Sequence, residues 1–155
     1  RPATELNLPP IQPQSPSLSR ESIEAPSQPP SETELQDYNL ALERLRSGQY
    51  QQASNDFQAF IDNYPNSDLS DSAYYWLGDA YYINRDFDQA KSAFLALGSR
   101  YPQSDKMADT LLKLGYVYTE LGDDDKARQV LTRLIESFPT SNAANLAQKH
   151  LRLLP

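Results

Sequence analysis

The chain has 155 residues, 39% of them hydrophobic and 23% charged, with a formal net charge of -7 and a pI near 4.6. That length suits one domain plus a tail, and singly dispersed Lys and Arg in an acidic chain argue against nucleic-acid binding, which draws affinity from clustered cations. No run approaches the ~20 apolar residues of a membrane helix, no charged-then-apolar signal segment opens the chain, and the absence of cysteine removes disulfides and thiolate metal sites from consideration.

Eight of the twelve prolines lie between Pro2 and Pro30. From Arg1 to Ser31, Pro, Ser, Gln and Glu mix without an apolar period, so this stretch cannot bury enough surface to offset its chain entropy. A disordered linker is expected over residues 1–31, ahead of a folded domain over 32–155. The start at Arg1 rather than at methionine, inside linker-like sequence, suggests a processed or truncated protein whose upstream region is missing.

Beyond the linker the chain repeats itself. Ala41, Gly78 and Gly115 are spaced by 37, as are Ala53, Ala90 and Ala127, and again Pro65, Pro102 and Pro139. Three units follow, about 34–67, 71–104 and 108–141, each closed by an aromatic-Pro-x-Ser boundary such as Tyr64-Pro65-Asn66-Ser67. Each unit reads as two antiparallel helices. In the second, Tyr74, Leu77, Gly78 and Tyr81, then Phe87, Ala90, Phe94 and Leu97, recur at helical intervals. Ser47-Gly48-Gln49, Asn84-Arg85-Asp86 and Leu121-Gly122-Asp123 form the turns between paired helices. The small residues are expected where paired helices cross and a side chain would keep the backbones apart. Proline stops each second helix, and Ser67, Ser104 and Ser141 are expected to cap the next one. After Pro139, the spacing of Ala144, Ala147, Leu151 and Leu154 predicts a solvating cap helix over 142–154.

These residues resemble the tetratricopeptide repeat. The second unit carries Leu77, Gly78, Tyr81, Ala90, Phe94 and Pro102, and the third has Leu131 in place of the aromatic. In the first, Ala41 replaces glycine and Arg44 occupies the tyrosine position. The resemblance implies an all-α fold: three helix-turn-helix repeats and a C-terminal capping helix in a right-handed superhelix. The 37-residue period, the proline-rich leader, and the lines Tyr74-Tyr75-Trp76-Leu77-Gly78 and Leu111-Leu112-Lys113-Leu114-Gly115 are similar to those of the periplasmic Tol-Pal-associated cell division coordinator family, CpoB or YbgF. That resemblance covers residues 34–155. It implies a periplasmic location, contact with TolA, and coordination of peptidoglycan synthesis, through a bifunctional penicillin-binding peptidoglycan synthase, with outer-membrane constriction. It further implies a trimerising N-terminal coiled coil upstream, with the present chain a monomer by itself. An alternative reading is a tetratricopeptide component of an outer-membrane protein assembly machine. A third is a glycan-contacting accessory of a cell-wall enzyme, disfavoured because the aromatic positions follow the fold's own period.

No catalytic constellation stands out: one histidine, no Gly-rich phosphate loop and no His pair at metal-ligand spacing. His150 reads as a surface residue suited to a helix C-terminus, and Asp123-Asp124-Asp125 as a solvated turn at a helix start. The chain is therefore read as a non-enzyme without cofactor or metal. Carried over from the resemblance, the partner-binding groove comprises Tyr38, Leu42, Tyr75, Trp76, Asp79, Tyr82, Leu112 and Tyr116, with Glu120 at its end. Tyr75 and Tyr116 are expected to face the groove. Leu35, Tyr38, Leu42 and Leu45 also form a stripe that can pack inward, and Trp76 fits packing or ligand contact equally. Such a groove is aromatic and acidic, lacks the Lys, Arg and Asn of a carboxylate clamp, and suits a Lys-bearing apolar segment, which is compatible with TolA.

Removing residues 1–31 is expected to leave helical content and thermal midpoint nearly unchanged by circular dichroism; a large loss would mean that the leader docks on the domain.

Overall fold

The computed structural model describes residues 29–155; the expected linker, up to residue 28, lies outside them. Among the described residues there are seven helices and no strand: α1 (Glu32–Arg46), α2 (Tyr50–Asn63), α3 (Ser70–Ile83), α4 (Phe87–Arg100), α5 (Met107–Glu120), α6 (Asp124–Ser137) and α7 (Asn142–Leu153). Each helix packs on the next. In addition α1 approaches α3, α3 approaches α5 and α5 approaches α7, whereas the backbones of α2, α4 and α6 stay farther apart. The first helices of the pairs thus form a continuous inner layer, and the second helices splay apart on the outside.

Pairing depends on the small residues. Ala41, Ala53, Ala90 and Ala127 are fully buried. A methyl group placed on Gly78 would stand 2.5 Å from the Phe94 ring, and one on Gly115 would collide with the Leu131 side chain. Ala41 occupies the corresponding position of the first pair, with Phe57 fully buried on α2. Burial of Phe57, Phe94 and Leu131 stabilises the fold by roughly 2–3 kcal/mol each. Arg44, standing where the other units have Tyr81 and Tyr118, holds α1 to α2 differently: its guanidinium pairs with Asp56 at 2.6 Å.

The turns inside the three units share one backbone solution. Gly48, Arg85 and Gly122 have φ of 84°, 64° and 77°. In the second unit the Arg85 N–H bonds the Tyr82 carbonyl and the Asp86 N–H bonds that of Tyr81, and the other turns repeat this pairing. This left-handed closure satisfies the last helical carbonyls. Arg85 adopts it without glycine's freedom, at a cost of about 1–2 kcal/mol, and its guanidinium lies 5.3 Å from the Phe87 ring centre. Before each boundary proline, Tyr64, Tyr101 and Phe138 leave helical geometry with nearly identical angles (φ -128°, -129° and -132°).

The boundary serines divide in role. Ser141 caps α7, accepting from the Ala144 N–H at 3.0 Å. Ser67 and Ser104 do not cap, contrary to expectation, since α3 and α5 have no side-chain cap. Their hydroxyls instead donate backwards to Glu34 (2.8 Å) and Asp71 (2.5 Å), which lie on the first helices of their own units. The reason is in the sequence of α5. The position equivalent to Glu34 and Asp71 is Ala108, so Ser141 has no carboxylate to reach and is free to begin a helix. Asp123 caps α6, accepting from the Lys126 N–H at 3.2 Å, and Asp125 pairs with Arg128. Ser31 caps α1 in the same way, accepting from Glu34 N–H at 3.1 Å; removal of residues 1–31 therefore also takes away the α1 cap, at about 1 kcal/mol, and removal of residues 1–30 is the truncation for which an unchanged midpoint is expected.

Gly115→Leu is expected to destabilise the protein by about 1–3 kcal/mol or more in urea denaturation, because Leu131 occupies the space the new side chain needs. An unchanged midpoint would reject the α5–α6 register.

Candidate partner-binding groove

The inner layer of α1, α3 and α5 brings positions 38, 75 and 112, and again 42, 79 and 116, onto one face by the 37-residue shift. Tyr38, Leu42, Trp76, Tyr82 and Tyr116 are partly exposed there, each packed against the core. Leu112 (6% exposed), Asp79 (8%) and Tyr75 (8%) are buried. Tyr75 is thus not the open anchor its position predicted. Trp76 meets its ring edge-on at 5.0 Å, Phe94 approaches at 6.1 Å, and the Lys106 ammonium lies 5.7 Å from it.

At the junction of the first two units the Trp76 indole N–H donates to the Tyr38 hydroxyl at 3.0 Å. Tyr38 is itself held edge-on by Phe57 and Phe60 at 5.9 and 5.7 Å. Tyr38 thus packs inward with its ring, as the Leu35-Tyr38-Leu42-Leu45 stripe allowed, and ties Trp76 in place with its hydroxyl. One rotamer-poor aromatic wall results, spanning two repeats. Burial raises the Tyr38 phenol pKa, opposed by hydrogen bonds from Trp76 and Ser72.

Charge along the groove differs from the expectation of an acidic surface. Asp79 is met by Lys113, whose ammonium stands 2.8 Å from Asp79 Oδ1 and 5.6 Å from the Tyr82 ring centre. That contact is an ion pair without an aligned hydrogen bond, and the buried Oδ1 has no other partner. Lys113 is therefore what neutralises Asp79. Lys106 caps Tyr75 and Trp76 together, 5.7 Å from each. Two cations of the chain itself lie on the aromatic wall. Glu120 at the end of α5 is exposed and raises the Tyr82 phenol pKa after burial has done so, and exposed Asp109 adds to the rise at Tyr75 behind burial and Asp79.

The third part of the wall comes from α7. Tyr116 packs edge-on to His150 at 4.9 Å, and His150 Nε2 lies 2.9 Å from the Thr119 hydroxyl. That hydroxyl already donates to the Gly115 carbonyl at 2.9 Å, so it accepts from His150, which places a proton on Nε2. His150 is thus docked into the groove's end rather than spread on the surface. Lys106, Lys113 and His150 were not among the expected site residues. Lys113 was within reach: it is Trp76 moved by one period.

Among the described residues no group of His, Asp and Glu is placed to hold a metal ion, and no helix is long and apolar enough to cross a membrane. Two family models, both described as tetratricopeptide repeat, match residues 38–105 and 109–141, most of the chain between them. The crystal structure of PcrH from Pseudomonas aeruginosa is similar at 18% identity and a TM-score of 0.69, over 83% of this chain and 97% of that one. The first tetratricopeptide domain of Spaghetti (RPAP3), bound to the HSP90 peptide SRMEEVD, is similar at 18% identity and a TM-score of 0.65, over 81% and 92%. At such identities the likeness is one of fold. No curated protein matches in sequence.

The buried phenol of Tyr75, its pKa raised by burial and then by Asp79 and Asp109, makes stability pH-dependent in one direction. Held neutral in the fold while the unfolded chain ionises near pH ~10, it contributes nothing to pH dependence below that point and loses stability as pH climbs above it. Tyr75→Phe is expected to remove up to about 1.4 kcal/mol per pH unit of that alkaline loss. Superimposable stability profiles of wild type and variant above pH ~10 would contradict the burial of Tyr75.

Proposed function

The chain belongs to the tetratricopeptide-repeat family, and on that premise, as a non-enzymatic protein-interaction module, we propose that it is a periplasmic scaffold that binds TolA. In this reading it also engages a bifunctional penicillin-binding peptidoglycan synthase, and so helps coordinate wall synthesis with outer-membrane constriction during cell division. The domain over 32–155 carries the contacts, residues 1–31 tether it, and an upstream coiled coil assembles three copies. The observation that carries the proposal is the aromatic wall of Tyr38, Trp76, Tyr82 and Tyr116, locked across repeats by the Trp76–Tyr38 hydrogen bond.

A wall of this kind holds apolar side chains of a helical or extended segment, because large rings with few rotatable bonds bury area at low entropic cost. The peptide in the RPAP3 structure supports peptide capture by this fold. Asp79 is already neutralised by Lys113, so the acids beside the wall that remain for a partner's lysines are exposed Asp109 and Glu120. Together with the sequence likeness of Tyr74-Tyr75-Trp76-Leu77-Gly78 to the Tol-Pal coordinator family, these features favour a partner segment of mixed lysine and apolar character.

Purified periplasmic TolA and the purified synthase, passed over immobilised chain, test this. Trp76→Ala with Tyr116→Ala, both partly exposed, is expected to weaken TolA binding by about 30-fold or more, the loss of ~2 kcal/mol typical of an aromatic anchor, with circular dichroism unchanged. Retention of neither protein by the wild type would reject the proposal, and equal retention by the variant would move the site off this wall.

A further inference from the structure

The first helices approach one another where the second helices diverge, and between α2 and α4 the divergence leaves a cavity of about 280 Å³ floored by α3. It opens on the outer side of the molecule. Leu77, Ala93 and Ala96 form its apolar base and wall, and Gln58, Gln89 and Tyr81 stand around its mouth. No charged side chain lines it. In a chain of net charge -7 that is unusual: the depression at the edge of the first repeat has Asp37 and Asp56, and that at the α5–α6 turn has Asp123, Asp124 and Asp125.

The fold does not require this hollow. One period later, Ala93 is replaced by fully buried Val130, Ala96 by Arg133 and Gln58 by Leu95. Two alanines line the first junction where the second carries the larger Val130 and Arg133. The mouth also holds unused hydrogen-bonding capacity. Gln58 donates its amide N–H to Asp62 at 3.0 Å, which leaves its carbonyl free, while the Gln89 amide and the Tyr81 hydroxyl make no side-chain hydrogen bond within the described residues.

We propose that this cavity is a second protein-docking site, which takes one leucine or phenylalanine side chain from an uncharged extended segment of a protein partner. The free groups of Gln58, Gln89 and Tyr81 bond the backbone amides that flank the inserted side chain. An apolar base with a neutral hydrogen-bonding rim and no charge matches such an anchor, and its binding is insensitive to salt. A sugar fits less well. Tyr74, the second aromatic lining the cavity, is only 8% exposed and packs beside Tyr101 and Arg100, so it presents no open ring face. Since the aromatic groove lies on the inner layer, one copy can hold two partners at once, one on each side.

The test is amide chemical-shift mapping on the whole chain, with N-acetyl-leucinamide and N-acetyl-phenylalaninamide as probes and N-acetyl-lysinamide and N-acetylglucosamine as controls. Saturable shifts at Gln58, Gln89, Ala93 and Ala96 are expected with the apolar probes, unchanged between low and high salt and unchanged in Trp76→Ala. Ala93→Val with Ala96→Arg, which installs the next repeat's own residues, should raise Kd by about tenfold or more. Should that variant not fold, exposed Gln89→Ala is expected to weaken binding by about threefold. The proposal is overturned if the shifts map to Trp76 and Tyr82, persist in the filled variant, match those of the lysine probe, or are larger with N-acetylglucosamine.

Discussion

Everything in this molecule follows from how closely paired helices approach at residues 41, 78 and 115. Opposite Gly78 lies the Phe94 ring and opposite Gly115 the Leu131 side chain, each filling the volume a Cβ would take. With that approach fixed three times at one period, the first helices of successive pairs approach one another and the backbones of the second helices stay farther apart. The inner layer then presents a continuous face and the outer layer opens between its helices. The aromatic wall follows from that packing, whereas the outer cavity needs in addition the small side chains of Ala93 and Ala96 between the second helices.

An exposed aromatic face on a free protein is a liability for non-specific association. Here the chain covers part of it with its own cations. Lys106 lies over Tyr75 and Trp76, and Lys113 over Tyr82 while neutralising Asp79. Ammonium groups over the rings keep this surface hydrated without closing it. The Tyr38–Trp76 hydrogen bond works against mobility in the same region. A partner therefore meets rings already oriented, and less ordering entropy opposes its binding.

The three repeats are alike in backbone and unlike in the side chains that finish each task. Arg85 closes with left-handed geometry a turn that glycine closes in the other two. Arg44 replaces a tyrosine and substitutes an ion pair with Asp56 for its packing. Ser67 and Ser104 strap loop to helix through Glu34 and Asp71, and Ser141, facing Ala108 instead, starts the cap helix. In each case one local change in the partner residue reassigns an otherwise repeated side chain.

The sequence by itself determined the helices, their pairing and where each second helix stops. These depend on short-range periodicity, on glycine at the turns, and on proline after each second helix, all legible from neighbours along the chain. The 37-residue shift related Tyr38 to positions 75 and 112 and Tyr116 to 79 and 42, whereas Trp76 and Tyr82 joined them only through the family resemblance, Trp76 fitting packing equally well. Only the tertiary structure decided that Tyr75 is enclosed, that Lys113 reaches Asp79, and that His150 is docked on Tyr116. Those outcomes join residues 31–34 apart or depend on how three side chains share one space, so they are settled by distances between helices rather than by spacing along them.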